Sequence, residues 1–124
     1  MRCVAIVCLA TWFAFAHADE VGSTRILVQT SFVAGFQHHD GKRLFSHMHV
    51  GDALSLIRET HNAHDANAIR VEWQGNIIGY VPRNENETLA RQFDFGNRLQ
   101  GRITRLSRHR DPNRRVEMEI YAPL

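Results

Sequence analysis

The pattern of apolar and polar positions is clearest between residues 51 and 83, GDALSLIRETHNAHDANAIRVEWQGNIIGYVPR. Gly51-Asp52 opens a run in which Ala53, Leu54, Leu56 and Ile57 mix with Ser55 and Arg58. Residues 61–67, HNAHDAN, interrupt that run with side chains that donate and accept hydrogen bonds. Residues 68–73 then alternate apolar and polar, the period of a half-buried strand. Gln74-Gly75-Asn76 reads as a turn and Ile77-Ile78-Gly79-Tyr80-Val81 as the returning strand, stopped by Pro82. The whole stretch predicts a meander with a polar loop at its rim.

The flanks extend this picture. Residues 25–36, RILVQTSFVAGF, are rich in β-branched and aromatic side chains and predict a strand over most of their length. Residues 37–42 form a polar connection, and 43–49 lead into the strand at Gly51. After Pro82 the period changes to that of a helix over 84–95. Asn84 and Glu87 have the spacing of a capping box, Leu89, Ala90 and Phe93 share one face, and Gly96 suits the position after the last turn. A strand over 99–107 with Ile103 inward, a charged turn over 108–113 and an alternating strand over 115–121 complete the chain. About six short strands with one clear helix predict a mainly β fold, a small, partly open barrel that limits exposed strand edges.

The first residues follow a different logic. Arg2 precedes an almost unbroken apolar run from Cys3 to Ala16, and Ala16-His17-Ala18 is a small-x-small site before the polar Asp19-Glu20. This is the pattern of a cleaved signal peptide over 1–18, followed by a polar lead-in over 19–25 and a domain over 26–122. The expected protein is exported, periplasmic or secreted, with no membrane span after cleavage. Cleavage removes both cysteines, Cys3 and Cys8, and with them any disulfide, cysteine zinc site or thiol nucleophile. With 15 basic and 13 acidic residues the formal charge is +2, so net charge excludes little and its distribution matters more.

Chemistry in the 61–67 loop has two readings. Asn62, Asp65 and Asn67 can receive a polar group such as a sugar hydroxyl, with His64 offering a flat ring. Equally, Asn and Asp side chains can bond their own backbone and simply shape the turn.

The spacing of Gly51-Asp52, Arg58-Glu59, Asn62, His64-Asp65, Asn67-Ala68-Ile69, Gly75 and Ile78 to Arg83 resembles the HIRAN domain. The resemblance covers nearly all of the chain after residue 25. It implies a modified OB-like barrel with two helices, the shorter near 65–68. In the HIRAN domains of fork-remodelling helicase-like ATPases this loop holds the free 3′ end of single-stranded DNA. The resemblance therefore implies that the Asp65 carboxylate meets a terminal 3′-hydroxyl. His64, standing where a tyrosine is found, would pack beside Asn62 on the nucleotide. Gln37 falls at the place of an arginine, so one phosphate charge is missing. His38 and His39 replace aromatic rings. Tyr80 can stack on a base or lie on the barrel wall, and Arg83 can pair with phosphate.

Between residues 98 and 115 seven arginines stand against one acid, Asp111. Such a stripe is either the footprint of a polyanion site, with Arg102, Arg105 and Arg108 as phosphate contacts, or a solvated face. His61, His64 and Asp65 are the weak candidates for a metal, and their spacing matches no standard zinc motif. No P-loop, Gly-x-Ser-x-Gly or paired-carboxylate motif occurs, and no cofactor is expected. ATPase activity in the family belongs to other domains. Asn86-Glu87-Thr88 fits a glycosylation sequon by pattern alone. The sequence thus predicts a non-catalytic nucleic-acid-binding module, preferring single-stranded DNA or its 3′ end. Its rival is an envelope interaction module that binds an unknown envelope protein and has lost the ligand. A metal-dependent nuclease relying on Asp65 is a third reading.

Overall fold

The computed structural model describes residues 24–123. The signal-peptide expectation for 1–18 lies outside them, as does most of the 19–25 lead-in. Six antiparallel strands form one curved sheet: β1 (Arg25–Phe32), β2 (Ala53–Arg58), β3 (Ile69–Trp73), β4 (Asn76–Tyr80), β5 (Gln100–Leu106) and β6 (Val116–Pro123). Their order is β1-β6-β5-β2-β3-β4. The helices are α1 (Gly41–Leu44) and α2 (Glu87–Asp94).

The sheet curls because β2 changes partner along its length. Ala53 and Leu54 pair with β5, whereas Ser55 to Arg58 pair with β3. The two outer strands then meet at a single point. Just beyond β1, Ala34 exchanges both backbone hydrogen bonds with Tyr80 of β4, at 2.8 and 2.9 Å. The result is the partly open barrel expected from the strand count. Gly79 makes the contact sterically feasible: its φ is 153°, and a Cβ there would stand 2.3 Å from the Ala34 carbonyl oxygen. Alternation fills the interior, with Ile69, Val71 and Trp73 of β3 facing Leu54, Leu56, Ile78, Ile103, Val116, Met118 and Ile120. Burying such side chains stabilises the fold by about 1.5–3 kcal/mol each before entropy is subtracted.

Gln74 and Gly75, with φ of 47° and 79°, form a two-residue turn between β3 and β4. Positive φ at both positions matches the twist of a hairpin. Asn76, expected in the turn, already pairs with Trp73. The Gly51-Asp52 pair ties β2 to its neighbours. The Asp52 carboxylate accepts from the His49 amide at 2.8 Å and the Trp73 indole at 2.9 Å. The His49 bond does most to hold its pKa below the usual value.

Three local expectations are corrected. The short helix expected near 65–68 is a turn: the Asn62 and Asp65 side chains capture nearby amides, which leaves no run of helical bonds to build. The second helix is α1, in a stretch read as a connection. Its one buried leucine, Leu44, and Met48 four residues later are too little periodicity to detect. The helical stretch also starts differently. Asn84 sits in a single 3-10 turn (Arg83–Glu85), and Asn86 occupies the position before α2 without capping it through its side chain. At the other end Gly96, at φ 88°, donates to the Phe93 carbonyl and Asn97 to that of Gln92, closing the last turn as expected.

Candidate functional site

The rim of the barrel beside the β1–β4 closure carries a hydrogen-bonded hub centred on Glu59, which follows β2. Register explains its assembly. Arg70 of β3 lies opposite Tyr80 of β4, and the Glu59 amide donates to the Ala68 carbonyl at 2.9 Å. One Glu59 oxygen accepts from the Tyr80 hydroxyl at 2.9 Å and the Asn62 amide at 3.0 Å. The other takes the Arg70 guanidinium at 2.6 Å. Burial pushes the Glu59 carboxyl up, but the bonds from Asn62, Tyr80 and Arg70 outweigh it and hold the group below its ordinary value. Arg70 is raised, chiefly by its bond to Glu59. Tyr80 is raised first by burial and then by the Glu59 carboxylate, so the phenol stays protonated and donates.

The loop is built outward from this hub. While the Asn62 amide nitrogen is bound to Glu59, its oxygen accepts the backbone amides of His64 at 2.9 Å and Asp65 at 3.0 Å. Asp65 accepts the Asn67 amide on one oxygen at 3.0 Å and the Asn86 side chain on the other at 2.7 Å. Asn86 is only 1% exposed. Its amide is therefore committed to Asp65, so the acceptor asparagine of the sequon is buried in the folded protein although Glu87 and Thr88 are exposed. The turn-shaping reading of Asn62 and Asp65 is thus present in the geometry, and it fixes the loop that presents His64.

What faces outward is a shallow cavity of about 360 Å³ lined by His39, Asn62, His64, Asp65, Ala68 and Tyr80. The His39 and Tyr80 rings stand 5.6 Å apart at 54°. Five of the predicted ligand residues converge here: His39, Asn62, His64, Asp65 and Tyr80. Gln37 and His38 project from the adjoining exposed turn, 3.2 Å from one another between side-chain nitrogens. That turn is pinned to the β5–β6 hairpin by a bond from the Gly35 amide to Asn113 at 2.9 Å. The arginine-rich tip therefore lies beside Gln37 and His38.

The predicted phosphate contacts are placed unequally. Arg102 pairs with Glu119 at 3.3 Å across β5 and β6. Arg105 is exposed, and Arg108 lies over the Phe45 ring at 5.4 Å. Arg83 is exposed at the start of the turn after β4. Among the described residues no three His, Cys, Asp or Glu side chains come together as metal ligands would, so His61, His64 and Asp65 do not form such a group. Sequence reading missed Glu59, Arg70 and Asn86. Glu59 and Arg70 lay inside the recognised stretch, but their meeting depends on strand register. Asn86 was read only as part of a sequon.

A curled antiparallel sheet with a polar, ring-lined rim defines a small β-barrel binding module. The HIRAN domain model matches residues 26–124. The crystal structure of a protein from Lactobacillus plantarum aligns with a TM-score of 0.70 at 31% identity, covering 82% of this chain and 98% of that one. The crystal structure of the HIRAN domain of human HLTF aligns with a TM-score of 0.57 at 20% identity over 79% of each chain, a likeness of fold. No curated protein matches the chain. The chain belongs to the HIRAN domain family, which is known for nucleic-acid binding.

Proposed function

We propose that this protein is a non-catalytic nucleic-acid-binding module that takes single-stranded DNA by its 3′ end. The observation that carries the reading is the convergence of two tilted rings, an exposed imidazole and a carboxylate around one cavity. His39, His64 and Tyr80 supply faces on which bases stack, a contact worth about 1–3 kcal/mol per base. Each Asp65 oxygen has one internal donor, which leaves capacity to accept a terminal hydroxyl. Arg83, Arg105 and Arg108 would meet phosphates, whereas Arg102 is offset by Glu119.

Fluorescence anisotropy at low salt with 3′-hydroxyl and 3′-phosphate oligonucleotides tests the reading. The 3′-hydroxyl strand should bind more tightly, and Asp65→Asn should erase the difference. Absence of binding to either strand would sink the proposal, and equal binding would remove the role given to Asp65. Tyr80→Phe, which keeps the ring, should retain binding that Tyr80→Ala loses.

A second reading, a protein-interaction module of the cell envelope, is favoured by Ile26, Leu27 and Val28. These are consecutive and exposed on the edge strand β1. A stoichiometric protein partner recovered from envelope extract without nucleic acid would support it. Both readings place the protein outside the cytoplasm, on the pattern of residues 1–18. Mass spectrometry of the native protein should find a chain beginning at Asp19.

A further inference from the structure

A second cavity, of about 280 Å³, opens between α1 and the β5–β6 hairpin and is lined by Phe36, Lys42, Phe45, Arg108 and Arg115. It shares no lining residue with the rim cavity. Its floor is apolar: Phe36 is buried, and Phe45 meets it edge to face with centroids 6.0 Å apart. Its walls are three cations, and no acid lines it.

These cations are held in place but not neutralised. Arg108 lies over the Phe45 ring at 5.4 Å. Arg115 is tethered through Nε to the His109 carbonyl at 3.0 Å, which leaves its two terminal nitrogens unspent. Among the described residues, neither these nitrogens, nor the Arg108 guanidinium, nor the Lys42 ammonium has a hydrogen-bond or ion-pair partner. The contrast with other arginines is sharp. Arg43, Arg58, Arg70, Arg91 and Arg102 all stand within 4 Å of a carboxylate. Gathering three uncompensated cations around one cavity costs repulsion that a bound anion relieves. Guanidinium forks suit the tetrahedral oxygens of a phosphoryl group, and a lysine adds a point charge.

We propose that this cavity is a binding site for a phosphate ester, with the phosphoryl group on Lys42, Arg108 and Arg115 and the carbon-bearing part against the half-exposed Phe45, which buried Phe36 backs. The site shares Arg108 with the phosphate contacts proposed above for a strand, but it does not depend on the 3′-end reading of the rim. The ester can come from a free mononucleotide or from the backbone of a strand, and the two sources separate experimentally.

The test is a two-dimensional NMR titration of the intact protein at low salt, with 5′-AMP and, in a second arm, with a thymidine decamer. Saturable shifts with AMP at Lys42, Phe45, Arg108 and Arg115, while His64, Asp65 and Tyr80 stay still, support a site for free esters. Shifts at those four residues with the decamer alone support a backbone site. Lys42→Ala combined with Arg108→Ala should weaken binding at least about tenfold, the scale of one lost charge-assisted contact. Arg91→Ala combined with Arg102→Ala removes the same charge from arginines that carboxylates already balance, and should leave it within about twofold. Equal losses in the two double variants, or no saturable shift with either ligand, overturn the proposal. Failure of the 3′-hydroxyl preference at the rim would leave these outcomes unaffected.

Discussion

The Asp65 carboxylate carries two internal hydrogen bonds before any ligand arrives, and the partner of the second, Asn86, is almost wholly buried. Replacing Asn86 by Ala leaves an Asp65 oxygen without its donor. It should lower stability by about 1.5–3 kcal/mol, the usual worth of a hydrogen bond to a charged group. Urea denaturation should show it as a lower midpoint at unchanged slope. Glu59 makes a complementary pH prediction. Its carboxyl lies below its ordinary 4.5 in the folded protein, so its contribution is present above that value and is lost as pH falls through the folded pKa. Thermal unfolding should weaken from about pH 4.5 downward by this linkage. Glu59→Gln should flatten the acid limb while lowering Tm at neutral pH. Asp52 is depressed in the same direction, so part of the slope persists in the variant.

At the scale of elements, the closure between Ala34 and Tyr80 depends on the absence of a side chain at Gly79. A Cβ there would meet backbone 2.3 Å away, and the φ of 153° disfavours any other residue. Gly79→Ala should therefore open the seam at a cost of several kcal/mol, on the scale of strained backbone plus a lost bridge. Amide exchange at Ala34 and Tyr80 should quicken more than at Ile103. The strands that frame this seam were legible because one face of each is buried: alternation in 68–73 and 115–121 translates directly into Ile69, Val71, Trp73, Val116, Met118 and Ile120 facing the core. Helix α1 was not, since four residues with one buried leucine give no period to read. The site was legible to the same extent. Asn62, His64 and Asp65 are close in sequence, and their loop was visible as an interruption. The Glu59–Arg70–Tyr80 hub exists only once β2, β3 and β4 take their register. The expected helix start was Asn84, whereas Asn86 holds the position before α2. Its side-chain amide bonds Asp65, a contact made across 21 positions that no local pattern announces.

For the whole molecule, the formal charge of +2 understates how polarised the surface is. Five arginines are paired with carboxylates spread over the sheet and α2. Among the described residues, Lys42, Arg83, Arg98, Arg105, Arg108, Arg110, Arg114 and Arg115 have no acid within ion-pair distance. Most of these belong to the β5–β6 hairpin, which the Gly35–Asn113 bond holds against the turn bearing Gln37 and His38. Cations already paired with a carboxylate add little net positive charge to neutralise phosphates, so they displace few of the counterions condensed on a strand. A bound single strand should therefore report only the uncompensated group. With about two to four phosphates engaged, log Kd should change with log salt at a slope of magnitude about 1.4–2.8. Arg108→Ala should reduce that magnitude by about 0.7, one phosphate's share for a single strand. Arg102→Ala, although it removes the same charge from the same hairpin, should leave the slope unchanged, because Glu119 already balances it. Anisotropy titrations of a decamer at several salt concentrations distinguish the two. Equal reductions in both variants would mean that the strand reads net charge over the whole face rather than the unpaired arginines of the hairpin.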